Sequence, residues 1–103
     1  MITQLKKGAL ELCVLDGGDK YGYELVQRIS ERIEVSEGTI YPLLKRIREE
    51  GHVETYIQES NEGPPRRYYH LTDGGRRHKQ ELLCEWISFS ESVNHIIGEG
   101  QSS

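Results

Sequence analysis

The chain has 103 residues, 35% of them hydrophobic and 29% charged, with a formal net charge of −4. That length suits one domain with a modest core, and no apolar run approaches the ~20 residues of a membrane span. The acid excess argues against a protein that coats nucleic acid by bulk positive charge, so any DNA binding must come from where the cations sit.

Residues 1–35 carry 5 basic and 6 acidic side chains, residues 36–79 carry 8 and 7, and residues 80–103 carry none and 4. The surplus acid therefore lies in the C-terminal segment. Met1–Lys7 lacks the ordered parts of a secretory signal, and a cytoplasmic location is expected. The histidines (His52, His70, His78, His95) are scattered and there is no Cys-x-x-Cys, so no metal and no cofactor are expected. Cys13 and Cys84 fall within apolar helical patterns and read as reduced core thiols. No Gly-rich phosphate loop, nucleophile–base arrangement or carboxylate pair is visible, which argues against an enzyme.

In chain order, residues 4–16 read as a first helix. Leu5, Ala9, Leu12 and Cys13 form a stripe at helical spacing, with Leu15 and Val14 beside it, and Gly17-Gly18-Asp19 ends the helix. Residues 21–33 read as a second helix with Gly22, Leu25, Val26, Ile29 and Ile33 inside and Gln27, Arg28, Glu31 and Arg32 outside. A third helix begins at Ser36, a good N-cap residue, and stops at Gly51. Its capping box is incomplete because position 39 is Thr. Pro42 inside it removes one N–H, which suits a helix that becomes regular near Thr39 or has a loose first turn. A strand over 52–59, a turn at 60–65 and a return strand from Arg66 to Leu71 make a two-stranded wing. Thr72 caps a long helix over 73–97, whose first turn Gly74 and Gly75 weaken.

The expected fold is thus mainly α with a two-stranded β wing: a winged helix-turn-helix over 1–72, a dimerisation helix over 73–97 and a flexible tail over 98–103. In the last helix Leu82, Trp86, Phe89, Val93 and Ile96 are spaced 4, 3, 4, 3, as in a coiled-coil seam. Leu83 widens it. Such a face needs a partner, and a second copy docking with help from Leu5 and Leu12 of the first helix is expected.

The third helix carries the binding chemistry. Ile40, Leu43, Leu44 and Ile47 lie on one side, leaving Thr39, Tyr41, Pro42, Lys45 and Arg46, with Ser36 at the start, for a major groove. Arg66 and Arg67 on the wing point to opposite faces, so one of them is expected on phosphate or in the minor groove. Lys6 and Lys7 can reach the DNA backbone from the first helix. A two-fold dimer would read an inverted repeat in double-stranded DNA with half-sites about 34–36 Å apart.

Four stretches then carry a family likeness: Lys7-Gly-Ala-Leu-Glu-Leu-Cys-Val-Leu15, Tyr21-Gly-Tyr-Glu-Leu25, Ser36-Glu-Gly-Thr-Ile-Tyr-Pro-Leu-Leu-Lys-Arg46, and Gly63-Pro-Pro-Arg-Arg-Tyr-Tyr69 with Leu71-Thr72 and Gly75. On these the chain resembles the PadR family of bacterial transcriptional regulators, in its small-C-terminal-domain branch. The resemblance implies a dimeric repressor, often of detoxification, multidrug-efflux or envelope-stress genes, released from DNA by an effector or stress signal. In some multidrug-responsive members a Trp on the last helix, placed 14 residues after the Thr of the Leu-Thr motif, stacks on flat aromatic drugs at the dimer centre. Trp86 stands 14 residues after Thr72. From the residues alone Trp86 reads either as seam packing or as a wall for a planar ligand, with Leu82, Phe89 and Val93 beside it. Two other functions fit the same elements: a winged helix used as a protein-binding module, and a sensor whose main task is ligand detection at the dimer interface.

Overall fold

The computed structural model describes the backbone of residues 3–17 and 19–101 and the side chains of residues 8–17 and 19–98. In chain order the elements are α1 (Thr3–Asp16), β1 (Lys20–Tyr21), α2 (Gly22–Ser30), α3 (Glu37–Glu49), β2 (Val53–Gln58), β3 (Arg66–Leu71) and α4 (Asp73–Gln101). The core is built where the apolar stripes of α1, α2 and α3 meet Val53 of β2; Leu15, Leu25, Ile40, Leu44 and Ile47 are almost wholly buried there. Burying each such side chain contributes about 1.5–3 kcal/mol, which is what fixes the three helices to one another.

The faces of α2 and α3 are the expected ones. That of α1 is not. Leu10, Glu11, Val14 and Leu15 turn inward, whereas Ala9, Leu12 and Cys13 are only half-buried. At 100° per residue these two sets lie on opposite sides of the helix. The described part of the stripe at helical spacing is thus the less buried side, with Cys13 still packed against the core, and Val14 and Leu15 beside it are the buried ones. The side chain of Leu5, like those of Lys6 and Lys7, lies outside the described residues.

The wing pairs β2 with β3 antiparallel, from Val53↔Leu71 to Gln58↔Arg66. A third strand joins it that the expected two-stranded wing lacks: β1 pairs with β3 at Lys20↔Tyr69 and Tyr21↔Tyr68, giving the order β1-β3-β2. Two residues are too few to show a period-2 pattern, and Tyr21 reads as the start of the following helix. The second helix is correspondingly shorter than 21–33. It opens at Gly22, where a Cβ would come within 3.1 Å of the Tyr69 ring, so the sheet packs directly against its first turn.

The end of α3 and the start of α4 are joined. Gly51 adopts φ +82°. Its N–H bonds to the Arg48 carbonyl at 3.0 Å and that of His52 to the Ile47 carbonyl at 2.9 Å, which satisfies the last carbonyls of α3. Thr72 Oγ1 accepts the Gly75 N–H at 3.0 Å, as an N-cap does, and donates to the Gly51 carbonyl at 2.6 Å. The Thr72 N–H bonds to the His52 carbonyl at 3.1 Å. Gly75 is needed here rather than merely tolerated, since a Cβ would sit 1.8 Å from the His52 carbonyl oxygen.

From that root α4 runs to Gln101, so residues 98–101 are helical where a flexible tail was expected; residues 102 and 103 lie outside the described residues. Leu82 packs against the core. Further along the same face Trp86, Phe89, Val93 and Ile96 are exposed. Cys13 is half-buried, but Cys84 is exposed, so it is not the core thiol its pattern suggested. Among the described residues no helix is long and apolar enough to cross a membrane.

Candidate nucleic-acid interface

The exposed side of α3 is created by the burial of the other. With Ile40, Leu43, Leu44 and Ile47 in the core, the helix turns Gly38, Thr39, Tyr41, Pro42 and Lys45 to solvent. Ser36 is the N-cap by backbone conformation, but its hydroxyl caps no N–H and lies 3.4 Å from Thr39 Oγ1. The first turn closes through the Ser36 carbonyl, reached by the Thr39 N–H at 3.0 Å and the Ile40 N–H at 3.3 Å. Regular helix thus extends from Glu37 through Pro42, at the cost of one missing N–H bond to the Gly38 carbonyl. The free N–H groups of that first turn and two hydroxyls form a short polar edge suited to an anion.

Lys45 stands near the middle of the exposed side and takes part in none of the ion pairs among the described residues. Tyr41 is 40% exposed. Its ring also lies 3.8 Å from where a Cβ of Gly22 would be, and Tyr69 borders the same spot. Partial burial, helped by the Glu37 carboxylate, pushes the Tyr41 phenol up from its ordinary value, so it stays an O–H donor at neutral pH.

Arg46 departs from the expected surface. Its guanidinium donates to Glu11 Oε1 on α1 and, at 3.0 and 3.2 Å, to both carboxylate oxygens of Glu50. It is turned toward α1 and away from Lys45 and Tyr41. Nothing in the sequence near Arg46 points to this, because Glu11 lies 35 residues away. Glu11, buried and bonded to both Arg46 and His78, is the candidate residue that sequence reasoning missed. Its one signal is a lone carboxylate inside the apolar run from Ala9 to Leu15.

On the wing, Arg66 and Arg67 are exposed and on opposite faces, as alternation requires. Arg66 lies over the Tyr21 ring with its guanidinium carbon 5.0 Å from the centroid. It shares that face with Tyr68, which stacks on Tyr56 at 5.4 Å and 12°. Asp19 ties the face together, with His70 Nδ1 at 2.6 Å and the Tyr56 hydroxyl at 3.4 Å. Arg67 shares the other face with Tyr69 and Leu71, which pack on the core, and projects beyond them. The expected pair is thus split by the pleat: Arg67 lies on the helix side of the sheet and Arg66 lies on the aromatic side.

Residues 12–81 match the transcriptional regulator PadR-like family. A PadR-like transcriptional regulator from Bacillus cereus is 39% identical in sequence and superposes with a TM-score of 0.82, over 91% of this chain and 96% of that one. A protein from Streptococcus mutans is 35% identical with a TM-score of 0.83, over 88% of each chain. The structure of Bacillus subtilis PadR in complex with operator DNA is similar in fold, with a TM-score of 0.63 and 22% identity over 72% of this chain and 46% of that one.

Proposed function

Because the chain belongs to the PadR-like family of transcriptional regulators, which are winged-helix DNA-binding proteins and not an enzyme class, we propose that it acts as a cytoplasmic homodimeric repressor of an inverted-repeat operator. The observation that carries this reading is the exposed polar side of α3, with Lys45 unpaired beside Tyr41 and Thr39 on a helix whose other side is fully buried. A helix held in that way can enter a major groove without loosening the core. Lys45 and Tyr41 take base edges and phosphates there, Ser36 and Thr39 meet the backbone at the helix start, and Arg67 with Lys6 and Lys7 adds phosphate contacts. Bacillus subtilis PadR, of the same fold, binds operator DNA, which supports the choice of ligand.

Dimerisation uses the face of α4 that leaves the domain. Trp86 is 42% exposed and Ile96 66% exposed, and a second copy of the same face covers both. The half-buried outward side of α1, with Leu12, adds to that interface. At its centre the paired Trp86 rings, with Leu82, Phe89 and Val93, accept a planar aromatic effector whose binding releases DNA. Residues 80–103 supply 4 acidic and no basic side chains, so a cationic ring system is favoured there.

The test is an anisotropy titration of the purified protein against the DNA upstream of its own gene, with a scrambled duplex and a salt series. Two protomers per duplex, promoter preference and a Lys45→Ala variant weaker by about 1–3 kcal/mol are expected. Equal, weak binding to both duplexes would instead favour a winged helix that docks on protein. Quenching of Trp86 fluorescence by flat cationic dyes, with loss of the DNA complex, tests the effector.

A further inference from the structure

Glu11 is the one charged side chain in the buried set of the described residues, 8% exposed. It belongs to α1, yet two other helices use it. Arg46 of α3 donates to one carboxylate oxygen, and His78 Nε2 of α4 donates to the other, the only role a carboxylate leaves to it. From Arg46 the contacts continue to Glu50 and from Glu50 Oε1 to His52 Nε2 at 3.8 Å. The His52 ring then stacks on His78, with centroids 4.1 Å apart and planes 7° from parallel. The path closes on itself through α1, α3, the turn after α3, and α4. Beside it lie the Thr72 and Gly75 contacts that fasten the first turn of α4 to Gly51 and His52.

A buried carboxylate is a poor device for stability alone, since a well-packed apolar residue of the same size often does as well or better. The directional bonds here are those of Glu11 to Arg46 and His78 and of Arg46 to Glu50, with a longer Glu50–His52 contact and the His52–His78 stack completing the path, and together they hold the angle between elements. We propose that this ring is the joint that carries the position of α4 to the recognition helix α3, that Glu11 is its positioning residue, and that Arg46 belongs to the joint and not to the DNA contacts. The inference rests on the dimeric DNA-binding reading above. In such a dimer the two α3 helices are related through the paired α4 helices. The angle held at the joint therefore sets the distance between the two reading heads. Loosening it spoils simultaneous engagement of two half-sites and leaves each half-site reading intact. An effector that shifts the crossing of the α4 helices reaches α3 by the same route.

The experiment uses the full chain and two probes: a duplex enriched from a random library by the wild-type protein, and the same duplex with one half-site scrambled. Glu11→Gln and His78→Gln are expected to weaken binding to the full site on the order of tenfold, an ordinary site–site coupling. Their affinity for the half-site stays at the wild-type value. Lys45→Ala weakens both duplexes and lowers the salt slope by about 1. Circular dichroism confirms folding of each variant, and His78→Gln, altered at a partly exposed ring, serves should Glu11→Gln not fold. Wild-type full-site affinity in a folded joint variant overturns the proposal. So does an Arg46→Ala variant whose salt slope and half-site affinity fall as those of Lys45→Ala do, because Arg46 would then be on DNA. A wild-type protein that enriches no duplex defeats the DNA-binding reading itself, an outcome distinct from either.

Discussion

At the scale of single residues, two side chains of opposite charge stand in contrasting surroundings, which is what separates the roles proposed for them. Lys45 is in water with its charge uncommitted, which suits a group that must find a phosphate or a base edge. Glu11 is out of water and fully committed. Burial works against its negative charge, but hydrogen bonds and the charges of Arg46 and His78 outweigh burial and hold the carboxyl below its usual 4.5. A carboxyl lowered in the folded state contributes stability that is fully present above its unfolded value and is lost as pH falls through the folded one. Glu11→Gln should therefore cost on the order of 2 kcal/mol at neutral pH, the contribution of a charged hydrogen bond or two. The difference from wild type should shrink steadily on acidification below the usual 4.5. Urea melts of both proteins across that range check it, and a gap that stays constant into acid would mean the carboxylate is not the stabilising species. Cys13 is the contrasting case: burial and the Asp16 carboxylate push its thiol up, so it remains protonated and unreactive at neutral pH.

At the scale of elements, what the sequence makes legible follows from how strongly a pattern is polarised. In α2 and α3 apolar residues occupy one side and charges the other, so both faces and most of the exposed surface of α3 can be read directly. The hairpin is equally plain, since Gly63-Pro64-Pro65 can only be a turn. In α1 the pattern is ambiguous, because Leu12 and Cys13 are as apolar as Leu10 and Val14, and only the tertiary contacts choose between the two sides. β1 is too short to carry a period, and the pairing of Arg46 with Glu11 spans elements that no local rule connects. The two glycines in the first turn of α4 illustrate the same limit, as composition alone makes both of them weak points. Around Gly74 a Cβ would meet nothing closer than 3.7 Å, whereas at Gly75 it would strike the His52 carbonyl. Gly74→Ala should accordingly raise stability by about 0.5–1 kcal/mol through helix propensity. Gly75→Ala should lower it by about 1–3 kcal/mol as α4 is pushed off the end of α3. Thermal melts of the two variants decide this, and equal shifts in the same direction would contradict the close approach.

The whole molecule is elongated, 60 Å in its longest dimension and 20 Å in its shortest, and the reason is α4. Its 29 residues extend for about 43 Å at 1.5 Å per residue, while the three-helix core beside it covers only the first turns. The same face that meets the core at Leu82 continues in solvent as Trp86, Phe89, Val93 and Ile96. Exposed apolar side chains scattered singly are ordinary, but a continuous row at heptad spacing on a projecting helix is a surface made for a partner. In the proposed dimer a second copy would supply an identical row and bring two α3 helices to one duplex. The surplus acid of residues 80–103 would then be carried on the paired α4 segments, outside the proposed reading heads. Replacing Val93, which is 37% exposed, by Glu places a charge on that row without touching the core. Val93→Glu should run on a sizing column as an 11.9 kDa monomer with the wild-type circular dichroism spectrum. Affinity for a two-half-site duplex should fall by about 10²–10⁴, the advantage of a linked second contact, with half-site affinity unchanged. Dimer-sized elution of Val93→Glu, or elution of the wild-type chain as a monomer at micromolar concentration, would move the partner of this α4 face to another protein and leave the acid of residues 80–103 to be explained by that partner's charge.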